Sequence, residues 1–385
     1  MIDTLSEREK QVLQWLNGSQ AQMLALLQPL VDIDSGSHCK SGVDAVVARL
    51  RVYLEAHGVR CDVHLNETAG NCMRASIGCT GKPVVLMGHC DTVFATGTAA
   101  QRPFRIEGDM AYGPGVADMK AGLVVNSFVL AAFAHAGMEV PMVGLYTADE
   151  EIASPVSRPF IEANSKDALA VFNSEPGRPS GNVVTGRKGA MFIDCEVTGI
   201  PAHSGANHQD GASAIEALCR KVVQMHRLTD YGTGTTVNVG LIEGGTSVNT
   251  VAPNAKASID VRFKTTSAMA SVQAQLAAII SENEVSGTCG HIRQQRYFLP
   301  LVQSTASRDL FAAYVASAAG IGFGVSGEYS GGSADSGLTA AAGIPTLCST
   351  GPVGGKIHTA EEWMQVGSMV PRAQAIALTA MRLFH

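Results

Sequence analysis

Residues Met142–Thr147 form an apolar run that reads as a strand, and Ala148-Asp149-Glu150-Glu151 follows it with three consecutive carboxylates. An apolar strand belongs inside a sheet, and charge gathered at its end is costly unless something cationic waits there. Two adjacent glutamates at a strand end point in different directions, so one carboxylate can bind a metal while its neighbour holds or deprotonates water. Glu150 and Glu151 therefore suggest a base and a ligand. Taken alone, Asp-Glu-Glu is more often the solvated acidic tip of a loop, and the rest of the chain shifts that balance.

The chain has 385 residues, more than one hydrophobic core usually supports, so two domains are expected. Hydrophobic residues make up 46%, enough for a sizeable core. A net charge of -6, with both signs scattered, leaves no basic footprint for nucleic acid. Residues 1–10 are polar and mixed in charge, unlike a secretory signal. The longest nearly apolar stretch, 121–134, is interrupted by Asn126 and Ser127 and is too short to span a bilayer. It reads as a buried helix, and no membrane association is expected. Nine cysteines (39, 61, 72, 79, 90, 195, 219, 289 and 348) are odd in number and lack paired metal-type spacing. That pattern suits a reducing, cytoplasmic setting, with several of them serving as small core residues.

Apolar periodicity predicts helices over 5–31 and 43–57, then short strands over 59–65, 72–77 and 84–87. A helix over 121–136 and strands over 142–147 and 168–172 continue the rhythm of an α/β sheet with helices on both faces. From about Arg187 the order becomes strand 190–197, helix 212–228, strands 235–242 and 255–263, helix 267–283 and strand 291–298. That β-α-β-β-α-β order is a ferredoxin-like unit. After Pro300 the chain resumes with a helix, a glycine-rich loop, a strand over 346–348 and a final helix over 366–384. The simplest division is a first domain split into 1–186 and 299–385 by an insertion over 187–298.

The strand at 84–87 ends in Gly88-His89-Cys90-Asp91-Thr92. Residues two apart on an extended segment share a face, so His89 can reach a metal while Asp91 accepts a hydrogen bond from its other ring nitrogen. The Gly/Pro loop 112–122 delivers Asp118 immediately before a helix, its glycines permitting the tight turn. Asp118 is a candidate bridging ligand or, read alone, a helix N-cap. The strand at 168–173 ends in Ser174-Glu175-Pro176, and Gly354-Gly355-Lys356-Ile357-His358-Thr359 supplies a histidine in a loop just before a helix. Each is weak alone. Together they place two histidines, an aspartate and two glutamates along one edge of the sheet. Carboxylates with imidazoles suit zinc, with manganese or cobalt as alternatives, and five ligands around a shared aspartate suit two ions roughly 3.5–4 Å apart.

In order along the chain, Gly88-His89-Cys90-Asp91-Thr92-Val93, 113–120, 147–151, Ser174-Glu175-Pro176 and Ile357-His358-Thr359 resemble the motifs of the dinuclear zinc metallopeptidases. That family includes bacterial glutamate carboxypeptidase, aminoacylase, acetylornithine deacetylase and succinyl-diaminopimelate desuccinylase. The resemblance covers nearly the whole chain. It implies a zinc-peptidase-type α/β fold, a mixed sheet with helices on both faces, with the ferredoxin-like insertion as a lid and dimerisation domain.

By the same resemblance Asp118 bridges two zinc ions per subunit, His89 and Glu175 complete one site, and Glu151 and His358 the other. Glu150 is then the general base and Asp91 orients His89. Gly199-Ile200-Pro201-Ala202-His203-Ser204-Gly205 resembles the segment whose histidine enters the partner subunit's active site, which implies a catalytic His203 and a homodimer. Its other reading is a surface histidine beside a glycine turn. Gly245-Thr246-Ser247-Val248-Asn249 and Asp260-Val261-Arg262 resemble segments that place Asn249 and Arg262 near a substrate carboxylate or carbonyl oxygen, though Arg262 also reads as a structural salt-bridge arginine. Ser330-Gly331-Gly332-Ser333-Ala334-Asp335 resembles a glycine-rich stretch that can present backbone N–H groups, at Gly332, to a carboxylate.

The chain departs from the glutamate carboxypeptidases in one place. They carry an arginine just before a proline near the exit from the lid domain, where this chain reads Arg296-Tyr297-Phe298-Leu299-Pro300. Arg296, Arg187 and Lys188 are the remaining cations that could meet a carboxylate. The implied activity is metal-dependent hydrolysis of an amide in a small carboxylate-bearing substrate, releasing a C-terminal amino acid from a small peptide. The alternative is an N-acyl amino acid deacylase or other small-molecule C–N amidohydrolase. A non-catalytic binding protein on the same fold is disfavoured by the intact Glu150 and ligand set.

Overall fold

The computed structural model describes residues 5–78 and 80–384, so residues 1–4 and Cys79 lie outside the described residues. The chain divides into two compact units, one of Met1–Gly186, Gln303–Tyr329 and Leu338–His385, the other of Arg187–Val302 and Ser330–Gly337. The second unit thus runs beyond residue 298 and takes in a separate segment. Backbone pairing explains both: Arg187 bridges Leu301, and Lys188 N–H donates to the Ser330 carbonyl at 3.0 Å.

The first unit is built on an eight-stranded mixed sheet with helices on both faces, in the order Arg60–His64, Cys72–Ile77, Met142–Thr147, Val84–His89, Ala170–Asn173, Thr346–Cys348, Val183–Arg187 and Gly327–Ser330. The middle four strands, from Met142–Thr147 to Thr346–Cys348, are parallel and buried along their whole length. Parallel strands covered on both faces need near-continuous apolar sequence, which these have. Their C-terminal ends lie at one edge of the sheet, with His89 opposite Thr147 and Met87 opposite Asn173.

Helix Ala121–His135 is buried from Ala121 to Phe133. Together with the turn before it, Val116–His135 is long and apolar enough to cross a membrane by length and composition, and all of its apolar window is buried inside the protein. A helix apolar on every side belongs in a core. The single helix expected over 5–31 is two, Glu7–Asn17 and Gln20–Val31, separated at Gly18 and Ser19, and the first begins with a capping box between Ser6 and Glu9.

A second, four-stranded sheet in this unit escapes periodicity because its strands are two or three residues long: Gly354–Gly355, Trp363–Gln365, Met110–Tyr112 and Arg105–Glu107, in that order. Trp363 pairs with both Gly355 and Tyr112. The loop carrying His358 is therefore a hairpin loop that leads into a strand, and the terminal helix, Met369–Leu383, starts later than expected. The same small sheet holds the strand from which the Asp118 loop departs.

The second unit is a four-stranded antiparallel sheet in the order Thr236–Gly244, Asn254–Phe263, Gly189–Thr198, Cys289–Phe298, with helices Ala214–His226 and Thr266–Ser281. This is the ferredoxin-like topology. Met191, Ile193, Cys195 and Val197 alternate into one apolar cluster with Leu218, Leu276 and Ile280 from the helices. The intervening Phe192, Asp194 and Glu196 lie half-buried on the other face.

Candidate metal centre

Three neighbouring parallel strands end together, and each delivers a candidate ligand at the edge of the sheet, the usual place for a site in an α/β fold. Val84–His89 ends on His89, Met142–Thr147 runs into the Glu150–Ile152 turn, and Ala170–Asn173 is followed by Ser174-Glu175. The turn is closed by a hydrogen bond from Ala153 N–H to the Glu150 carbonyl at 2.8 Å. Gly122, at the start of the core helix, lets the Glu175 strand end lie close: a Cβ there would sit 2.0 Å from the Ser174 carbonyl oxygen.

Asp118 stands at the centre. Its Oδ1 lies 3.2 Å from His89 Nε2, and its Oδ2 lies 3.2 Å from His358 Nε2. One carboxylate thus faces two imidazoles, one per oxygen. Glu151 Oε2 is 3.3 Å from His358 Nε2, while Glu175 Oε1 and Glu150 Oε2 are 3.8 Å and 4.0 Å from His89 Nε2. Ligand atoms of His89, Asp118 and Glu151 lie within 4.8 Å of one another, as do those of His89, Glu150 and Glu175. All the residues anticipated as ligands, together with Glu150, are therefore brought together in the first unit.

The donor set suits divalent ions: imidazole nitrogens and carboxylate oxygens, largely buried. Glu151 Oε1 is buried without a hydrogen-bond partner. A buried carboxylate oxygen with nothing to accept from is expensive, and a cation at this centre would relieve it.

Asp91 is fully buried and does more than orient an imidazole. Its Oδ1 lies 3.3 Å from His89 Nδ1. The two carboxylate oxygens also accept the backbone N–H groups of Glu150 and Glu151, both at 3.1 Å, and the Ser37 hydroxyl donates to Oδ2 at 2.6 Å. One side chain thereby fixes the histidine ligand and the turn that aims both glutamates.

Glu362, buried and not anticipated as a site residue, plays the matching part for Asp118. It accepts the backbone N–H groups of Gly115 (3.2 Å), Ala117 (2.8 Å) and Asp118 (3.0 Å). Burial pushes its carboxyl up to about 7 against those hydrogen bonds. Burial likewise lowers the Lys120 ammonium to about 8, opposed by the charge of Glu362. The glycine-loop sequence gave no hint of a partner more than two hundred residues away.

Charges in the centre shift one another. Hydrogen bonds to Asp118 and Glu151 raise the His358 imidazole to about 10. Burial opposes the charged form of His89, but hydrogen bonds to Asp118 and Asp91 and the charges of Glu150 and Glu175 outweigh it and lift its pKa well above the ordinary value. Burial would raise Asp118; its hydrogen bonds to His358 and His89 instead hold it below the usual carboxylate range. Glu151 is raised by burial and by the neighbouring Asp118 charge. His358 also adopts a positive φ of 61°, uncommon outside glycine and tolerated at sites where geometry is imposed.

Residues 85–382 match the model of Peptidase family M20/M25/M40. The chain belongs to this family. The M20 family comprises metal-dependent peptidases and amidohydrolases. Among its curated members, Carboxypeptidase G2 of Pseudomonas sp. (strain RS-16) is 29% identical over 265 residues, 67% of this chain and 63% of that protein. An M20 domain-containing protein of Schizosaccharomyces pombe is 30% identical over 253 residues, 62% of this chain and 60% of that one. The matched region thus spans less than two thirds of these relatives. Two solved M20-type structures share the fold: a tripeptidase from Staphylococcus aureus (TM-score 0.75, 21% identity, covering 94% of this chain and 98% of that one) and a metallo-carboxypeptidase from Sulfolobus solfataricus (TM-score 0.74, 18% identity, 94% and 99%).

The other site residues expected from the M20 resemblance lie in the second unit. His203 is exposed, and its Nδ1 accepts the backbone N–H groups of Gly205 and Ala206 at 3.1 and 3.2 Å. That arrangement leaves the ring proton on Nε2 in the neutral imidazole. Asn249 belongs to the adjoining loop, its carbonyl accepting Ser204 N–H at 3.0 Å. Arg262 forks onto Asp260 through two 2.7 Å hydrogen bonds and also reaches Ser333 Oγ at 3.4 Å. It is thus a salt-bridge arginine with one remaining face. The Gly332 N–H is engaged with Ser330 Oγ at 3.1 Å, so presenting it to a carboxylate requires that bond to open. Arg296 carries a buried Nε without a hydrogen-bond partner.

Proposed function

We propose that the protein hydrolyses an amide bond in small carboxylate-bearing substrates, as a carboxypeptidase that releases a C-terminal amino acid in the manner of glutamate carboxypeptidases. The observation that carries this reading is Asp118, one oxygen toward each of two histidines, with Glu150 beside them. Similarity to Carboxypeptidase G2 supports the bond type. The residue before Pro300 is Leu299, which favours keeping N-acyl amino acids in the substrate panel and a deacylase as the second reading.

In this reading Asp118 bridges two divalent ions, zinc by donor type, with His89 and Glu175 holding one and Glu151 and His358 the other. Bound there, the ions supply Lewis-acid polarisation and make water reactive near neutral pH. Glu150 takes the proton of the attacking water as its oxygen adds to the carbonyl carbon, then delivers that proton to the leaving nitrogen as the C–N bond breaks. His203, from the partner subunit of a homodimer, donates from Nε2 to the oxygen on which negative charge grows. Asn249 and Arg262 face the substrate's carboxylate or carbonyl oxygen.

The first experiment is a hydrolysis panel of acyl-glutamates, dipeptides and N-acetyl amino acids with metal-loaded protein. Release of glutamate from acyl-glutamates supports the carboxypeptidase; turnover confined to N-acetyl amino acids moves the assignment to a deacylase. Silence on all three classes would reject amide hydrolysis of this kind.

His203→Ala is expected to lower kcat by about 10²–10³-fold, the usual cost of one oxyanion donor, with little change in KM or metal content. Mixing it with Glu150→Gln subunits tests whether the residue acts across a dimer. Random reassociation should then recover roughly a quarter of wild-type activity, because half of the dimers are mixed and each has one intact site. If His203 acts within its own subunit, mixing recovers nothing.

Metal uptake should depend steeply on pH. With its pKa near 10, His358 is protonated in the metal-free protein at neutral pH and must lose that proton to bind an ion. Apparent affinity should therefore climb about tenfold per pH unit for each histidine proton displaced. Calorimetry in two buffers of different ionisation heat counts those protons. For the metal-free fold the sign is reversed. The raised His358 pKa contributes stability that is fully present below about 6.5 and is lost as the pH climbs through 10, with the effect screened because 48% of the side chain is exposed.

A further inference from the structure

Beside the candidate metal centre the first unit carries a recess of about 920 Å³, walled by residues 36–41 with Asp44 on one side and by 92–96 on the other, with Glu151 and Ile152 also lining it. We infer that this recess is the subsite for the group attached to the carbonyl side of the scissile bond, and that it selects a neutral, flat, apolar group such as an aromatic ring. The inference rests on the amide hydrolysis proposed above and adds the acyl specificity of that site.

Position gives the first reason. Glu151 lines the recess and lies 3.3 Å from His358, so the recess opens where the scissile carbonyl must sit if these residues hold an ion. Its walls are also tied together: Ser37 N–H donates to the Thr92 carbonyl at 3.2 Å, and Thr92 N–H to the Ser35 carbonyl at 2.9 Å. A recess fixed by backbone bonds needs little ordering on binding.

Chemistry gives the second. Val93 is 44% exposed on the 92–96 wall, and Phe94 beside it has the Arg102 guanidinium 4.8 Å from its ring centroid. Exposed apolar groups around a concave site are what a flat apolar ligand packs against. The polar groups opposite are occupied with one another. Lys40 Nζ is held by Asp44 Oδ2 at 2.9 Å and Asn71 Oδ1 at 3.2 Å; the second Asp44 oxygen accepts Asn71 N–H at 2.8 Å, and the Ser37 hydroxyl donates to Asp91. The Lys40–Asp44 pair cancels its own charge, so a charged acyl group would give up water without gaining a counterion.

Binding of N-benzoylglycine and N-acetylglycine to metal-loaded Glu150→Gln protein, which leaves both compounds uncleaved, tests this by calorimetry. The benzoyl compound should bind about tenfold or more tightly, given its larger apolar area, and its 4-carboxybenzoyl counterpart should lose that advantage. Val93→Trp and Ser41→Trp, which fill the recess from opposite walls, should each erase the benzoyl preference. Equal binding of the two compounds, no binding of the benzoyl compound, or a preference that survives both substitutions would overturn the inference. If wild-type protein hydrolyses neither compound but the preference follows the recess, the hydrolase reading falls and the subsite stands.

Discussion

Glu150→Gln is expected to lose about 10³–10⁴-fold in turnover while keeping the parent protein's metal content, the upper range for removal of a general base. The substitution is nearly isosteric, and the Glu150 backbone N–H that anchors the turn to Asp91 is untouched. Only the ability to take and return a proton disappears. The experiment also resolves an ambiguity in the geometry, because Glu150 lies within ligand distance of His89 and Glu175 as well as beside the space for an attacking water. If Glu150 were chiefly a ligand, the variant would lose metal along with activity. Elemental analysis of the purified variant beside its kinetics separates the two, and activity within tenfold of wild type would remove Glu150 from the role of base.

The sequence made the parallel core of the sheet readable because strands buried on both faces must be apolar along their length, and their charged ends then stand out. His89, Glu150, Glu151 and Glu175 are all visible in that way. Asp149, in the same acidic triplet, is not separable by sequence from its neighbours, yet its oxygens accept Val156 N–H at 2.7 Å and Ser157 N–H at 3.1 Å, fastening the helix Ser157–Ser165. It serves the fold while the next two residues face the centre. The small sheet that carries the His358 hairpin was illegible because strands of two or three residues have no period to detect. Glu362 was missed for a related reason. Its partners are backbone N–H groups of a distant loop, which no side-chain pattern announces. The ferredoxin-like unit could be read because its sheet is covered on one face only, so inward and outward residues alternate cleanly along Gly189–Thr198.

Asp118→Ala should have the largest effect of any single substitution, because it removes a group shared by both halves of the centre. Each histidine loses its 3.2 Å carboxylate partner at once. Even residues that only orient a metal's ligands typically cost ~10–100-fold in metal affinity, and a direct ligand common to two ions should cost at least that at each. Turnover should fall by about 10⁴-fold or more, since Lewis-acid assistance is worth several kcal/mol and about 1.4 kcal/mol corresponds to tenfold. Asp118→Asn sharpens the test. The carboxamide keeps one acceptor oxygen and puts an NH₂ donor where the other stood, so it can serve one histidine's ion but not the second. Metal content should then fall to near one ion per chain in Asp118→Asn and below that in Asp118→Ala. Proton release on metal uptake should shrink in step, because the His358 pKa is raised chiefly by Asp118. Two ions retained in both variants would show that Asp118 does not bridge them, and the role would pass to Glu150, whose carboxylate also lies at His89.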